Sequence, residues 1–280
     1  MPITAGTDAT LFVISLGAGL LGALGGVGGG LIIVPVLTVG MGFDIHLAAG
    51  ASIVSVIATS SGAAVAYLRE GWANIRVGML LQVATVAGAI VGALVTSEVP
   101  TQLLLLILGA VLLLSGGMQL LRLSEEPGAG PVGGRDRWRL SGRYFSIRLQ
   151  REVDYTPIAV VPGFVVMIVA GIISGLLGIG SGALKVLAMD GLMRLPMKVS
   201  SATSNFMIGV TAAASVGIYL ARGYVDARLT VPVTLGILVG AVVGARLLPR
   251  LTNQHVRIIF IPVLLIIAIE VLLRGLGINV

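Results

Sequence analysis

Apolar residues run along this chain in stretches near 20 residues long, separated by short clusters of polar and basic residues. Runs of that length and density fit membrane helices; barrel strands would be segments of about 10 alternating residues. Two runs are interrupted by glycine. Gly19 to Val34 reads GLLGALGGVGGGLIIV, and Gly171 to Asp190 reads GIISGLLGIGSGALKVLAMD. Each interior glycine lowers helix stability by about 1 kcal/mol relative to alanine, so Gly28-Gly29-Gly30 and Gly180-Ser181-Gly182 are expected to break a helix.

The two interruptions belong to a duplication. Adding 152 to Gly19, Gly26, Gly28, Gly30, Ser52, Thr59, Tyr67, Gly71, Arg76, Gly88, Gly92 and Gln102 lands on the same residue type each time, from Gly171 to Gln254, with no gap. Twelve identities at one offset mark an internal repeat. Each repeat reads as an apolar helix, a glycine break, a short apolar helix and three full-length helices. The segments fall near 9–25, 31–42, 46–69, 74–97 and 101–121, then near 158–178, 183–194, 198–221, 226–248 and 254–274. The expected fold is therefore all-α and membrane-embedded: two repeats of four to five helical segments, eight to ten in total, with glycine-broken helices at the centre. Residues 1–123 form the first repeat and 156–280 the second. Between them 124–155 is basic, and its alternation of Phe145, Ile147 and Leu149 with Ser146, Arg148 and Gln150 suggests a small β-hairpin.

Composition agrees. Hydrophobic residues make up 56% of the 280 positions, charged residues 11%, and the mean hydropathy is +1.06, beyond what a soluble core explains. The net charge of +6 carries topology information and gives no nucleic-acid footprint. Cysteine is absent, which excludes disulfides, thiolate metal sites and a cysteine nucleophile; no metal or cofactor motif stands out. The first segment lacks the basic start of a signal peptide and is expected to stay in the mature protein.

A 12-residue helix such as 183–194 spans roughly 18 Å against a hydrocarbon core of about 30 Å. It cannot cross alone, so the break before it is expected inside the membrane, buried in protein or facing a cavity. Break and short helix then enter and leave on one side, three crossings remain per repeat, and the repeats are inverted. Seven of the 16 arginines lie between Arg122 and Arg151 and direct that linker to the cytoplasm. Inversion then puts Arg194, Lys198, Arg246, Arg250 and Arg257 inside, and Arg222, Arg228 and Arg274 outside.

Short helices that begin in the membrane expose unpaired N–H groups and about half a positive charge, which favours anions. Gly28, Gly29, Gly30, Gly180, Ser181 and Gly182 are therefore candidate substrate contacts, whereas Gly19, Gly22, Gly88 and Gly92 suit close helix packing. Lys185, at the second break, is the candidate anion contact, against a snorkelling or paired lysine. Asp190 is the proton-coupling candidate and is not assumed to pair with Lys185. Ser52, Ser201, Thr203, Ser204 and Asn205 add hydrogen-bonding groups as further candidate substrate contacts, against a helix cap and interhelical contacts; Ser52 is the counterpart of Ser204 in the first repeat. Tyr67, Trp72, Tyr219 and Tyr224 read as interface anchors, and His46 and His255 as surface residues.

Three stretches, GALGGVGGGLIIVPVL (22–37), GLLGIGSGALKV (175–186) and SSATSNFMIGVTA (200–212), resemble the TauE/SafE family of sulfite and organosulfonate transporters, also called the 4-toluene sulfonate uptake permease family. The duplication covers nearly the whole chain, as in that family. Ser181 and Leu187 stand where its second motif usually has glycine and proline. The resemblance implies movement of sulfur-containing anions across a bacterial inner membrane, linked to the proton motive force. Together these readings lead to a secondary transporter for a small anion, with membrane lipid as surroundings and no nucleic acid. The rival readings are a passive anion channel and an intramembrane serine hydrolase using Ser181, for which Lys185 is the sole helix-buried base candidate. Substrate, direction and oligomeric state, a homodimer included, stay open.

Overall fold

The structure, a computed structural model, describes residues 5–25, 29–69, 72–121, 138–146, 151–247 and 253–278. Among them the first repeat supplies α1 (Ala5–Gly25), α2 (Gly30–Pro35), α3 (Ile45–Arg69), α4 (Ile75–Val95) and α5 (Thr101–Leu121). The second supplies α6 (Val160–Leu177), α7 (Gly182–Val186), α8 (Met197–Ala221), α9 (Ala227–Leu247) and α10 (Asn253–Gly275). An antiparallel hairpin of β1 (Gly142–Ser146) and β2 (Arg151–Tyr155) lies between them. This is an all-α, multi-pass membrane protein. Among the described residues four helices, α4, α6, α8 and α9, are long and apolar enough to cross a membrane, and shorter apolar stretches lie in α1, α2, α3 and α5.

Each short helix continues into a π turn, Val36–Gly40 after α2 and Leu187–Leu192 after α7. The turns close identically: Met41 N–H donates to Val36 O and Met193 N–H to Ala188 O, both at 3.1 Å, and Phe43 to Leu37 and Leu195 to Met189, both at 2.9 Å. Pro35 precedes the first turn and Leu187 occupies the equivalent place in the second. Proline is therefore not what winds these segments. The substitution at Leu187 leaves the local geometry intact.

Helix pairs exchange partners between repeats. Glycines of α9 rest against carbonyls of α1, with Gly236, Gly240 and Gly244 over Phe12, Leu16 and Leu20, so these helices run parallel. Gly88 and Gly92 of α4 rest on Ile168 and Ile172 of α6, the same pairs displaced by 152 residues, and again parallel. The remaining counterparts face each other antiparallel. In α5 and α10, Leu106, Gly109 and Gly116 meet Gly275, Leu272 and Leu265; along α3 and α8, Gly50 meets Tyr224, just beyond the end of α8, and Ser60 meets Gly209. Backbones can approach this closely because the facing residue has no Cβ, and without a hydrophobic force between helices in lipid such packing is what associates them.

The hairpin packs on one end of the bundle. Asn74 caps α4 by accepting from Val77 N–H at 3.1 Å. Its own N–H donates to Thr203 Oγ1, and its side-chain amide donates to Leu140 O and to the Tyr155 hydroxyl, each at 3.0 Å. Burial pushes the Tyr155 phenol above its ordinary value, opposed by the hydrogen bond from Asn74, so it stays neutral as an acceptor. Leu140 and Tyr155 cover Met167, Met189, Met193 and Met207, all fully buried. At the opposite end, Arg222 donates to the Ala93 and Leu94 carbonyls that finish α4. His46, expected at the surface, bridges Asp44 Oδ1 at 3.0 Å and Thr96 O at 3.1 Å and stacks on Tyr224.

A methyl group at Gly92 would collide with the Ile172 carbonyl, and one at Gly240 with that of Leu16. Gly92→Ala and Gly240→Ala should each destabilise the protein by about 1–3 kcal/mol, read as matched falls in thermal midpoint in detergent. Gly17→Ala, where nothing lies within 4 Å, should not lower the midpoint and should raise it slightly through alanine's better helix propensity.

Candidate functional site

The chain leaves α6 through a left-handed turn. Gly178 (φ +66°), Gly180 (φ +71°) and Ser181 (φ +45°) all adopt conformations natural to glycine, and α7 starts immediately afterwards. Serine in this region is strained by about 1–2 kcal/mol. In the first repeat Gly29 precedes α2 with an ordinary helical φ of −64°. Gly28, the third expected contact there, lies outside the described residues.

The two breaks meet between α3 and α8. A methyl group at Gly30 would lie 2.8 Å from Ser52 Oγ and 3.4 Å from Ile179 O, so residues of both breaks converge on one point. Ser52 Oγ donates to Gly178 O at 2.9 Å and lies 3.4 Å from Gly30 O, bridging the breaks. Its repeat counterpart Ser204 donates to Gly182 O at 3.1 Å. These hydroxyls give the carbonyls of the glycine turns donors from neighbouring helices where a membrane interior offers no water. Ser52 thus ties the two breaks together, and Ser204 ties α8 to the second.

Lys185 is fully buried in α7. Its ammonium donates to Thr211 Oγ1 on α8 at 2.8 Å and forms no ion pair with a described residue. Three N–H donors are available on an ammonium, so the group is under-used. The Thr211 hydroxyl donates to Met207 O at 2.8 Å and lies 3.4 Å from Thr85 Oγ1. The Gln82 side-chain amide completes the cluster, 3.0 Å from Thr211 Oγ1. In the first repeat Ile33, also fully buried, takes the place of Lys185, so the charge exists in one half alone. Ser181 Oγ, at the N-terminus of α7, is 2% exposed and has no hydrogen-bond partner among the described residues.

The remaining polar candidates do not gather here equally. Thr203 is fully buried, but its hydroxyl accepts from Asn74 N–H on the hairpin side. Asn205 turns back on its own helix, donating to Ser201 O at 3.1 Å, and both are half-buried. Asp190 sits half-buried in the π turn beyond α7. Tyr219, expected as an interface anchor, is instead fully buried, its hydroxyl donating to Gly175 O at 2.8 Å and lying 3.0 Å from Leu176 O. It holds the carbonyls that α6 leaves open just before the break, and the spacing of apolar residues around it gave no sign of this. Glu270 and Arg274 form the expected i,i+4 pair at 4.0 Å.

The family model described as sulfite exporter TauE/SafE matches residues 11–271. Among curated proteins the chain is similar to two from Bacillus subtilis (strain 168). It is 28% identical over 238 residues to one named "Probable membrane transporter protein YdhB", covering 84% of this chain and 86% of that protein. It is also 28% identical over 273 residues to "Probable membrane transporter protein YunE", covering 95% and 97%. A Sinorhizobium sp protein, "Probable membrane transporter protein ORF9", is 25% identical over 269 residues, covering 96% of this chain and 92% of that one. No solved structure matches the chain.

Thr211→Val keeps the shape but removes the hydroxyl that receives Lys185. It should lower stability by about 1–3 kcal/mol, the cost of an unsatisfied buried donor. Combining it with Lys185→Met should recover most of that loss, and a double-mutant cycle of thermal midpoints measures the coupling.

Proposed function

The chain belongs to the TauE/SafE sulfite exporter family, and we propose that it is a secondary transporter carrying a small sulfur-containing anion, a sulfonate or sulfite-like species, across a bacterial inner membrane. Membrane transport itself follows from the family and the relatives. The observation that carries the finer reading is the buried ammonium of Lys185, which meets no described carboxylate and lies within one turn of a buried Ser181 hydroxyl without a described partner. A cation and free donors beside a helix N-terminus are suited to oxyanions, and their desolvation is offset when the anion arrives. The Gly180–Gly182 backbone and Ser181 would touch the oxygens, with Lys185 turning from Thr211 to supply charge.

We further propose that the repeats are inverted and that substrate access alternates about the paired breaks. The antiparallel packing of α5 on α10 and of α3 on α8 supports inversion, since each pair consists of repeat counterparts. Two-fold counterparts that point in opposite directions let one repeat open toward each side of the membrane. The arginine-rich linker and its hairpin would face the cytoplasm. Asp190, close to the end of its segment, is the proposed carrier of the coupled proton.

Two measurements test this reading. Purified protein in proteoliposomes should accumulate labelled sulfonate or sulfite when a proton gradient is imposed. Lys185→Met and Ser181→Ala should each reduce the rate about tenfold or more, the scale of a lost charge-assisted hydrogen bond; unchanged rates would remove the site. The absence of native cysteine makes single-cysteine labelling clean. Cysteines at Ser141 and at Asp226 should label from opposite sides of the membrane; labelling from the same side rules out the inverted arrangement.

A further inference from the structure

One feature of the meeting point is apolar. Val56 on α3 and Ile208 on α8 are repeat counterparts, 152 residues apart, and are 3% and 5% exposed. A methyl group at Gly180 would lie 2.9 Å from Ile208 Cγ2 and 3.1 Å from Val56 Cγ1, so the two branched side chains converge on the same face of the second break. Val56 Cγ2 also reaches the first break, 2.5 Å from where a methyl at Gly30 would stand. Glycine is therefore needed on both breaks to make room for these side chains. No hydrogen-bonding role competes for the two positions, since both residues are aliphatic. They lie where α3 and α8 meet both breaks, since Val56 touches the Gly30 and Gly180 positions alike and Ile208 the latter.

We propose that Val56 and Ile208 form the permeation seal of the protein: a matched pair of β-branched side chains that closes the space between the two breaks. An ion crossing this point must shed water against aliphatic surface, which is the basis of hydrophobic gating. Branching at Cβ suits the task, because Val and Ile hold essentially one rotamer in a helix and cannot swing aside. Transport then requires α3 and α8 to separate, carrying the pair apart on opposite sides of the antiparallel crossing. Ser52 and Ser204, one turn away on the same helices, hold the breaks against the seal through Gly178, Gly30 and Gly182. The inference rests on the transport reading for its purpose, but the seal itself is measurable without substrate.

The test is passive leak of chloride and nitrate from liposomes containing the full chain, with no sulfur compound present. Val56→Ala combined with Ile208→Ala should raise the leak roughly tenfold over the unsubstituted protein. Val56→Thr, which keeps the shape and adds a hydroxyl, should also leak. The exchange Val56→Ile with Ile208→Val conserves total volume and should stay tight. Thermal midpoints and monodisperse elution identify variants that fold. A folded double-alanine variant that is as tight as the unsubstituted protein overturns the seal, as does a swapped pair that leaks like the alanine variant. If the unsubstituted protein moves no sulfonate or sulfite while the alanine variant leaks, the seal stands and the transport reading fails.

Discussion

Backbone polar groups cannot be left unpaired in a membrane interior, and the centre of this protein is arranged around that constraint. Breaking a helix at Gly178–Gly182 frees carbonyls and N–H groups far from water. α3 and α8 cross beside the breaks and return the missing donors: Ser52 to Gly178 and Gly30, Ser204 to Gly182, and Tyr219 to Gly175. The carbonyl oxygens at the breaks are thereby satisfied by side chains of neighbouring helices.

Charge then divides two nearly equivalent halves. The helix exchange, the π turns and the serine anchors repeat at an offset of 152 residues, yet Lys185 faces Ile33 across the duplication and Gln82 faces Thr234. A lysine buried this deeply is costly, and its retention without a described carboxylate beside it is an argument about use more than about stability. Packing can be symmetric because glycine against a carbonyl needs no particular sequence beyond the small residue. Electrostatics need not be, because the charge sits on one side chain, Lys185, in one half alone.

Much of this was legible along the chain. The repeat offset, the positions of the breaks and the boundaries of most helices follow from glycine cost and apolar run length, both local properties. The prominence of Lys185 was legible too, since a lysine amid apolar residues has few explanations. The roles of Thr203, Asn205 and Tyr219 were not. Whether a hydroxyl or amide serves the break, its own helix or the hairpin depends on the face it occupies and on which helix lies opposite, and helical periodicity assigns no partner. Val56 and Ile208 were equally silent, because an aliphatic residue in an apolar helix carries no local signal of what it touches.

By itself the sequence determined the class of the molecule, its duplication and the presence of broken helices, because hydrophobic length and backbone propensity act over neighbouring residues. Only the tertiary structure decided that the halves exchange helices, that their breaks meet, and that one serine joins both. Those outcomes depend on which glycine faces which carbonyl across tens or hundreds of residues, a pairing that arises when helices pack and is written in no single segment.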